Sequence, residues 1–454
     1  MAGSVILVSL PPSPTIRHAA RVAEVKRNGA VLAAVAGVVV TLVVWLAVTT
    51  PLVMGLLHPA AVHAPEPALE SHAPAPDPSR KTAAVLLSQA GTEVTDFLAP
   101  YAILAASGAF DVTAVAPQPG WAPTNGGLGI VPQQTLAAFD AAHPGGADVI
   151  VLPNVMDPDA PVLLDWVKHQ AARGALVVSV CEGARVLAHS GLLEGRSATT
   201  HFLALGELRK SFPGIHWRDD RRYVVDGSFV TSAGVTAAID ASLYVVARLA
   251  GAATATRTAE ILGLPYTGDV AATPPVLSLG ALAAGVLNGG LVWPKWRVLV
   301  PLRDGVDEIE LAAVLDAYPR TFAAASASTT PEQRAVRSRH GLVLVPARAA
   351  GAPGPGDIVV TPARDGADGS AYDRVLRAIA ARFGGDIAEL VAAQLQYPAA
   401  HLELAATPTP RLRSVLSLVL LLACGGASGV LVRRSYRRRR ARRASATLRQ
   451  LART

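Results

Sequence analysis

The sequence predicts an α/β protein with a doubly wound parallel sheet, followed by a second, degenerate α/β copy and flanked by two transmembrane helices. Three observations support this fold class. Short β-rich runs alternate with helical stretches from residue 83 onward, the region from residue 297 repeats part of that pattern, and an uncharged apolar run lies near each end of the chain. Strand–helix alternation is typical of parallel sheets that are covered by helices on both faces.

The composition fits a protein that lies partly in lipid. Of the 454 residues, 51% are hydrophobic, more than a soluble chain of this length needs. The net charge of +7 arises at the chain ends, since residues 433 to 443 alone hold eight arginines. Basic residues at the ends, rather than along a folded face, argue against nucleic-acid binding, so we expect no nucleic-acid partner.

The first membrane segment is predicted at residues 29 to 50, after a cytoplasmic N-terminus of residues 1 to 28. Residues 29 to 48 carry no charge, and at 1.5 Å per residue they cover a hydrocarbon core of about 30 Å. A cleaved signal peptide is the alternative, but the apolar part of a signal peptide is shorter, about 7 to 15 residues. A Pro-rich linker at residues 51 to 82 follows.

The second membrane segment is predicted at residues 412 to 432, and an Arg-rich tail, residues 433 to 454, follows it. Cytoplasmic flanks carry the excess of lysine and arginine, so we expect both ends in the cytoplasm, the body outside, and the bilayer of the inner (cytoplasmic) membrane as a partner. Residues 276 to 293 are also uncharged, but a third span would place the tail outside. We therefore interpret residues 268 to 296 as an apolar linker or buried helix.

Residues 83 to 267 are predicted to form the first α/β domain. The expected strands and helices alternate along this region: strands at 83 to 88, 111 to 117, 148 to 153 and 175 to 180, and helices at 96 to 107, 160 to 173 and 235 to 250. A sharp turn leads from the strand ending at residue 180 straight into another helix. A polar β region at residues 223 to 233 completes the domain.

Residues 297 to 405 resemble a degenerate copy of this domain. Their first part aligns without a gap with the segment from residue 83, which sets Gly305 on Gly91 and Glu310 on Asp96. The middle of the domain, with its sharp turn, has no counterpart. Two explanations of this similarity stay open: a true duplication, and chance resemblance between alanine-rich helices. A built-in copy would allow an intramolecular pseudo-dimer in place of a homo-oligomer.

Cys181 is the residue that indicates chemistry, because it lies at the end of a buried strand and directly before a helix. This position aims the sulfur at free helix N–H groups and at the positive end of the helix dipole, which favours the nucleophilic thiolate. A buried structural cysteine is the alternative. The other cysteine, Cys424, lies in the second membrane segment, so we expect Cys181 to be a free thiol.

The segments VSVCEGARVLAHSGLLEGRSATTHF and TSAGVTAAID resemble the ThiJ/PfpI (DJ/PfpI) family of the class I glutamine-amidotransferase-like superfamily, especially its isocyanide-hydratase branch and the sensing domain of AraC-type regulators. This resemblance implies a flavodoxin-like sheet with Cys181 on a nucleophile elbow. It also implies that Asp96 hydrogen-bonds the sulfur and supplies a proton, and that His201 faces the pocket. The alternatives are a helix N-cap for Asp96 and a structural hydrogen bond for His201.

Two positions depart from the family pattern. Glu182 follows the cysteine where family proteases have histidine, so we expect no peptidase activity. Asn154 and Val155 replace a glycine pair whose N–H helps to hold an oxyanion, so the bulky Val155 is expected to impair the oxyanion hole. We identify no cofactor-binding or metal-binding motif, and we interpret the linker histidines as solvated.

Two functions stay open on the sequence. The first is a membrane-anchored enzyme, a cysteine-dependent hydratase or hydrolase, in which Cys181 attacks a small electrophilic molecule. The second is a membrane-tethered sensor or binding module that recognises a small molecule or an oxidant without turnover. Both predict a small-molecule partner, and a purely structural module is a third interpretation.

Overall fold

The computed structural model describes residues 14–55, 70–73, 75–266, 271, 277–292, 294–364, 369–404 and 412–451. The chain divides into two compact units. One unit combines Met1–Pro51 with Pro410–Thr454, and the other, which we call the body, is Leu52–Thr409. Most of the predicted Pro-rich linker lies outside the described residues.

The helices of the described chain are α1 (Pro14–Met54), α2 (Val94–Ala106), α3 (Leu136–Ala142), α4 (Pro161–Ala172), α5 (Ala184–Ser190), α6 (Phe202–Ser211), α7 (Ala237–Ala250), α8 (Ala252–Ile261), α9 (Leu279–Leu291), α10 (Glu308–Ala317), α11 (Ala371–Phe383), α12 (Gly385–Leu395) and α13 (Leu412–Leu451).

The strands are β1 (Lys81–Leu86), β2 (Phe110–Ala116), β3 (Ala122–Thr124), β4 (Leu128–Val131), β5 (Gln134–Thr135), β6 (Val149–Leu152), β7 (Leu176–Ser179), β8 (Ser197–Ala198), β9 (His216–Trp217), β10 (Tyr223–Asp226), β11 (Phe229–Ser232), β12 (Trp296–Pro301), β13 (Ala324–Thr330), β14 (Val336–Arg337), β15 (Val343–Pro346), β16 (Arg348–Ala349) and β17 (Ile358–Val359).

The first region of the body, residues 81 to 261, is built on a seven-stranded sheet of order β10-β11-β7-β6-β1-β2-β5. All neighbours are parallel except β10 and β11. Continuous apolar runs form the inner strands, as expected for strands covered on both faces. The predicted flavodoxin-like parallel sheet is therefore confirmed. The carboxyl ends of β1, β6 and β7 meet at one edge, where ligands of such sheets bind.

The second region, residues 296 to 404, has a four-stranded parallel sheet of order β16-β13-β12-β17. In it β12 lies between β13 and β17, as β1 lies between β2 and β6. The helix pairs also correspond. Gly251 joins α7 to α8 at φ 92° and ψ 149°, and Gly384 joins α11 to α12 at φ 96° and ψ 156°.

The two regions share structure. Strands β14 and β15 of the second region continue an antiparallel sheet with β4 and β3 of the first, in the order β14-β15-β4-β3. Helix α2 packs against α10, and buried residues of both regions belong to one hydrophobic cluster. This packing explains why α2 is buried from Val94 to Leu104 instead of having one exposed face.

Among the described residues, one helix, Asn28–Pro51, is long and apolar enough to cross a membrane. The second predicted membrane segment falls on α13, where the side chains of residues 412 to 418 lie outside the described part. Helix α9, within the apolar stretch at 276 to 293, has 13 residues and packs against α12. It is too short to cross a bilayer.

Candidate functional site

The predicted elbow is present at Cys181. This residue follows β7 and begins a 3-10 turn, Cys181–Gly183, that leads into α5. Its φ angle is 55°, in the left-handed region that only glycine adopts easily. Holding a cysteine there costs roughly 1–3 kcal/mol, and backbone strain of this kind persists mainly at functional sites.

Gly183 allows the elbow to lie against the end of β6. A Cβ atom added at Gly183 would be 2.1 Å from the carbonyl oxygen of Leu152. The Gly183 N–H donates to the carbonyl of Val180 at 2.8 Å, which closes the turn. A glycine two residues after the cysteine is therefore a steric requirement of this turn.

Asp96 is a buried acid near the elbow, and its charge acts on the Cys181 thiol. The predicted hydrogen bond between Asp96 and the sulfur is not formed in the described structure, and the role of Asp96 as a proton donor stays a prediction. Its side chain is 0% exposed; Oδ2 accepts the N–H of Asn154 at 3.2 Å, and Oδ1 has no hydrogen-bond partner among the described residues. Burial raises the pKa of Asp96 to about 7. Asp96 is not the N-cap of α2, because the side chain of Glu93 caps this helix by accepting the Asp96 N–H.

Glu93 is a second acid of the site, and the sequence analysis missed it. Its carboxylate accepts from the Asp96 N–H at 2.6 Å, from Asn125 Nδ2 at 3.3 Å and from Arg320 Nη2 at 3.3 Å. Burial raises its pKa well above the usual value; Asp316 and Asp96 add to this shift, while Arg320 opposes it. A glutamate just before an apolar helix was the available signal, although glutamate is not a preferred N-cap residue.

His201 is buried at the start of α6, and its Nε2 lies 2.9 Å from the carbonyl oxygen of Gln394. A carbonyl oxygen only accepts, so Nε2 carries the proton. Burial lowers the pKa of His201 to about 4, which leaves the ring neutral at pH 7. The geometry fits the structural alternative, and a catalytic part stays a prediction. Beside it, the Thr200 hydroxyl donates to the carbonyl of Cys181 at 2.9 Å.

Two charged residues of the second region, Arg320 and Asp316, reach the site. Arg320 Nε donates to Asp316 Oδ1 at 2.9 Å, and its Nη2 donates to Asp316 Oδ2 at 3.1 Å. Asp316 also accepts from Thr95 Oγ1 at 3.1 Å and from Asn125 Nδ2 at 3.2 Å. No local signal could have found these contacts, because Arg320 lies 227 residues after its partner Glu93.

The thiol of Cys181 is in an environment that disfavours its charge. Its residue is 5% exposed, and burial raises the pKa of the thiol well above the usual value. Asp96, Glu182 and Glu93 raise it further, whereas Arg320 lowers it. The expectation of a resting thiolate is therefore wrong, because burial and three carboxyl groups outweigh a seven-residue helix. The thiol is protonated at neutral pH and needs a base.

The loop after β6 takes part in this arrangement through the backbone of Asn154. The Asn154 N–H is committed to Asp96, and the Asn154 carbonyl accepts the Glu93 N–H at 2.9 Å. Val155 is 2% exposed and forms a β-bridge with Thr92. These contacts agree with the expected impairment of an oxyanion hole at this loop.

A cleft of about 510 Å³ opens next to the elbow, between the two regions of the body. Thr200, Arg209 and Arg222 line it from the first region, and Gln396 and Tyr397 line it from the second. Cys181 is not among its lining residues, although Thr200 contacts the cysteine carbonyl. The cleft can hold a small molecule, and one of its lining residues contacts the backbone of the cysteine.

Residues 81–248 match the model of the DJ-1/PfpI family. The chain is 41% identical over 112 residues to an isonitrile hydratase of Pseudomonas putida, covering 25% of this chain and 46% of that protein. It is 34% identical over 100 residues to the HTH-type transcriptional regulator CdhR of Pseudomonas aeruginosa, covering 22% of this chain and 30% of the regulator. The chain thus spans less than half the length of these two curated relatives.

Among solved structures, a DJ-1 superfamily protein from Salmonella typhimurium is similar, at 27% identity and a TM-score of 0.37, covering 41% of this chain and 99% of that one. The family model includes the elbow and the acid at its side, the features on which the resemblance was based. Residues 81–248 of this chain belong to the DJ-1/PfpI family.

Proposed function

We propose that the chain is a membrane-anchored enzyme in which Cys181 attacks a small electrophilic molecule, in the manner of a hydratase or hydrolase. The observation that carries the proposal is a cysteine held at φ 55° near Asp96, a buried acid whose Oδ1 has no hydrogen-bond partner among the described residues. Structural cysteines do not require a strained backbone, nor a neighbouring acid that can change its charge near pH 7.

Proton transfer between these two groups is the first step. As the sulfur bonds to the electrophilic carbon, the thiol proton passes to the ionised Asp96, whose pKa of about 7 suits it as both base and acid. Asp96 then returns the proton to the substrate. Water adds to the same carbon, the carbon–sulfur bond breaks, and the thiol recovers its proton. The net reaction is the addition of water.

Isonitriles are the first substrate class to test, because an isonitrile hydratase is among the relatives. Addition of water to an isonitrile yields an N-substituted formamide, which NMR detects directly. We expect the full chain in detergent micelles to form this product, and expect Cys181→Ala and Asp96→Asn each to reduce the rate by at least 100-fold. Cys424→Ala and Glu310→Gln are the matched controls and should keep the wild-type rate.

Product formation at the wild-type rate by Cys181→Ala would reject the nucleophile assignment. Absence of product from a range of small isonitriles, together with a thiol that reacts with iodoacetamide, would favour the second candidate instead.

That second candidate is a sensor or binding module for a small molecule or an oxidant. The burial of Cys181 and the separate 510 Å³ cleft favour it, and a transcriptional regulator is among the relatives. A sensor should be oxidised by hydrogen peroxide at Cys181, detected by mass spectrometry, with a shift of melting temperature and without turnover. The expectation that the chain binds no nucleic acid stays a prediction.

Anchoring by two membrane helices is part of the proposal, with residues 29 to 50 and 412 to 432 as the spans. Close contacts between α1 and α13 support it: a Cβ atom added at Gly37 would be 2.2 Å from the carbonyl oxygen of Gly425, and one added at Gly429 would be 1.9 Å from that of Ala33. Glycines four residues apart allow such contact between membrane helices. The helices run antiparallel, as spans with both ends on one side must.

The proposed topology places both termini in the cytoplasm and the body outside, in the inner membrane. The test is a pair of alkaline phosphatase fusions in a bacterial host, since this enzyme is active only outside the cytoplasm. A fusion after residue 80 should be active and a fusion after residue 454 inactive. Activity of the C-terminal fusion would contradict the two-span arrangement.

We also propose that residues 297 to 405 are a degenerate copy of the first region that serves as a built-in partner, making the body a pseudo-dimer. The matching positions of β1 and β12 in their sheets, and the matching glycines between the last helices, support this proposal. Size-exclusion chromatography with light scattering should then find a monomeric body, residues 70 to 404. A stable dimer would argue for a homo-oligomer.

A further inference from the structure

We propose that Arg320, contributed by the second region, is a positioning residue of the Cys181 site: it binds the carboxyl groups of Glu93 and Asp316 and so keeps Asp96 able to accept the thiol proton. The inference rests on the proposed function, because it concerns the same thiol. It assigns to the degenerate copy a chemical role in the first region's site.

The guanidinium of Arg320 is held from several sides. It is 7% exposed and donates to both oxygens of Asp316, at 2.9 and 3.1 Å, and to Glu93 Oε1 at 3.3 Å. The carbonyl of Arg320 accepts from Gln394 Nε2 at 2.9 Å. The planar fork of arginine suits such bridging of two carboxylates, which the single ammonium of lysine reproduces only in part.

The other charged groups around the thiol are mostly acids. From α2 come Glu93 and Asp96, and from the elbow Glu182, which is paired with Arg185 at 2.7 Å. His201 is neutral at pH 7, as shown above. Arg320 is the cation that counteracts these acids at Cys181. Its removal therefore leaves these acids unopposed at the thiol.

Two buried acids, Glu93 and Asp316, share this one guanidinium, and its charge also acts on Asp96. An unpaired buried carboxylate costs several kcal/mol, so without Arg320 the acids near it would hold protons more tightly or oppose one another. A permanently protonated Asp96 could not accept the thiol proton. Any charge left on the other acids would oppose a thiolate at Cys181. Both consequences move the reaction of the thiol to higher pH.

A purely structural ion pair is the alternative, and the pH profile of the thiol separates the two interpretations. We would measure the rate of iodoacetamide alkylation at Cys181 between pH 5 and 10 in the full chain in detergent, in a Cys424→Ser background. The variants are Arg320→Met, Arg320→Lys and Asp316→Asn. The matched control is Arg339→Met, because Arg339 pairs with Asp307, the N-cap of α10, at 2.7 Å.

We expect Arg320→Met to raise the midpoint of the profile by at least one pH unit, which lowers the rate at pH 8 about tenfold. Arg320→Lys should recover part of the shift, and the control should show none. Asp316→Asn removes a negative charge while Arg320 remains, so it should lower the midpoint. This opposite sign keeps the proposal testable if Arg320→Met does not fold.

A wild-type midpoint in folded Arg320→Met, or a raised or unchanged midpoint in Asp316→Asn, would overturn the role of Arg320 and leave the proposed function intact. A wild-type Cys181 that iodoacetamide does not modify at any pH would reject both this inference and the proposed nucleophile.

Discussion

Asp96 and Glu310 lie at similar positions in the two regions of the body but have opposite environments. In the first, Glu93 caps α2, and Asp96, three residues later, is fully buried with one oxygen unpaired. In the second, Asp307 caps α10, and Glu310, three residues later, forms an ion pair with Arg374. The first region follows its acid with an elbow cysteine, whereas the second has no cysteine and, in its described residues, no elbow.

This difference shows how similar strand–helix turns can serve reactivity or stability. An unpaired buried carboxyl is costly and changes its charge near neutral pH, which suits proton transfer. A paired carboxyl keeps its charge and ties two helices together. The described residues of the second region show no such reactive arrangement; this region packs against the first and supplies the Arg320 that contacts Glu93.

The largest expected effect comes from removing the second region. A fragment of residues 70 to 267 loses the pairing of β4 with β15 and the packing of α2 against α10. Exposing this apolar surface to water should cost the fragment more free energy than the stability of about 5–15 kcal/mol that is usual for a domain. Urea unfolding followed by circular dichroism should show no cooperative transition, whereas residues 70 to 404 should unfold cooperatively. A sharp transition of the short fragment would make the regions independent domains.

The next effect concerns the elbow, which only the first region has. Gly183→Ala would place a methyl group 2.1 Å from the Leu152 carbonyl, and we expect a loss of roughly 2–4 kcal/mol in unfolding free energy. The matched control is Gly206→Ala in α6, where no atom lies within 4 Å of the added Cβ. That change should stabilise the helix by about 0.5–1 kcal/mol. Equal effects of the two changes would contradict the close packing of the elbow.

Neutralising Asp96 and neutralising Glu310 should change the free energy of unfolding in opposite directions. Burial raises the pKa of Asp96 in the folded state to about 7, above its usual value of 3.8. Its stabilising effect is therefore complete below about pH 4 and is lost as the pH rises to 7. Asp96→Asn has no such loss, because asparagine does not ionise. Its free energy of unfolding should exceed that of the wild type by on the order of 2 kcal/mol at pH 7.5, and should show no such gain at pH 3.5.

Glu310→Gln should instead cost about 1 kcal/mol at pH 7.5, because it removes the pairing with Arg374. Urea unfolding at the two pH values checks both variants. A destabilised Asp96→Asn at pH 7.5 would mean that this acid is ionised and well solvated or paired in the folded state.

The smallest effect tests the likeness of the regions. Gly251 and Gly384 share a backbone conformation that is nearly exclusive to glycine. Gly251→Ala and Gly384→Ala should therefore each cost about 1–2 kcal/mol, and the two losses should agree within about 0.5 kcal/mol. Thermal unfolding measures both. A cost at one position alone would weaken the correspondence between the helix pairs.

Much of the fold could be predicted because it is encoded in short patterns. The strands ending before Cys181, the helix that starts near Asp96 and the helix from Ala237 to Ala250 follow from apolar periodicity and turn residues. The elbow and its acid follow from family motifs. Glu93 was missed because glutamate rarely caps a helix, although its position before α2 was visible.

The sequence alone determined the alternation of strands and helices, the elbow at Cys181 and the apolar segments near the ends, since each depends on residues close together in the chain. Only the tertiary structure decided the charge states at the site. Burial keeps the thiol protonated, and Arg320 reaches Glu93 from a segment 227 residues away. A pKa depends on burial and on the charges nearby in space, and no local pattern contains either.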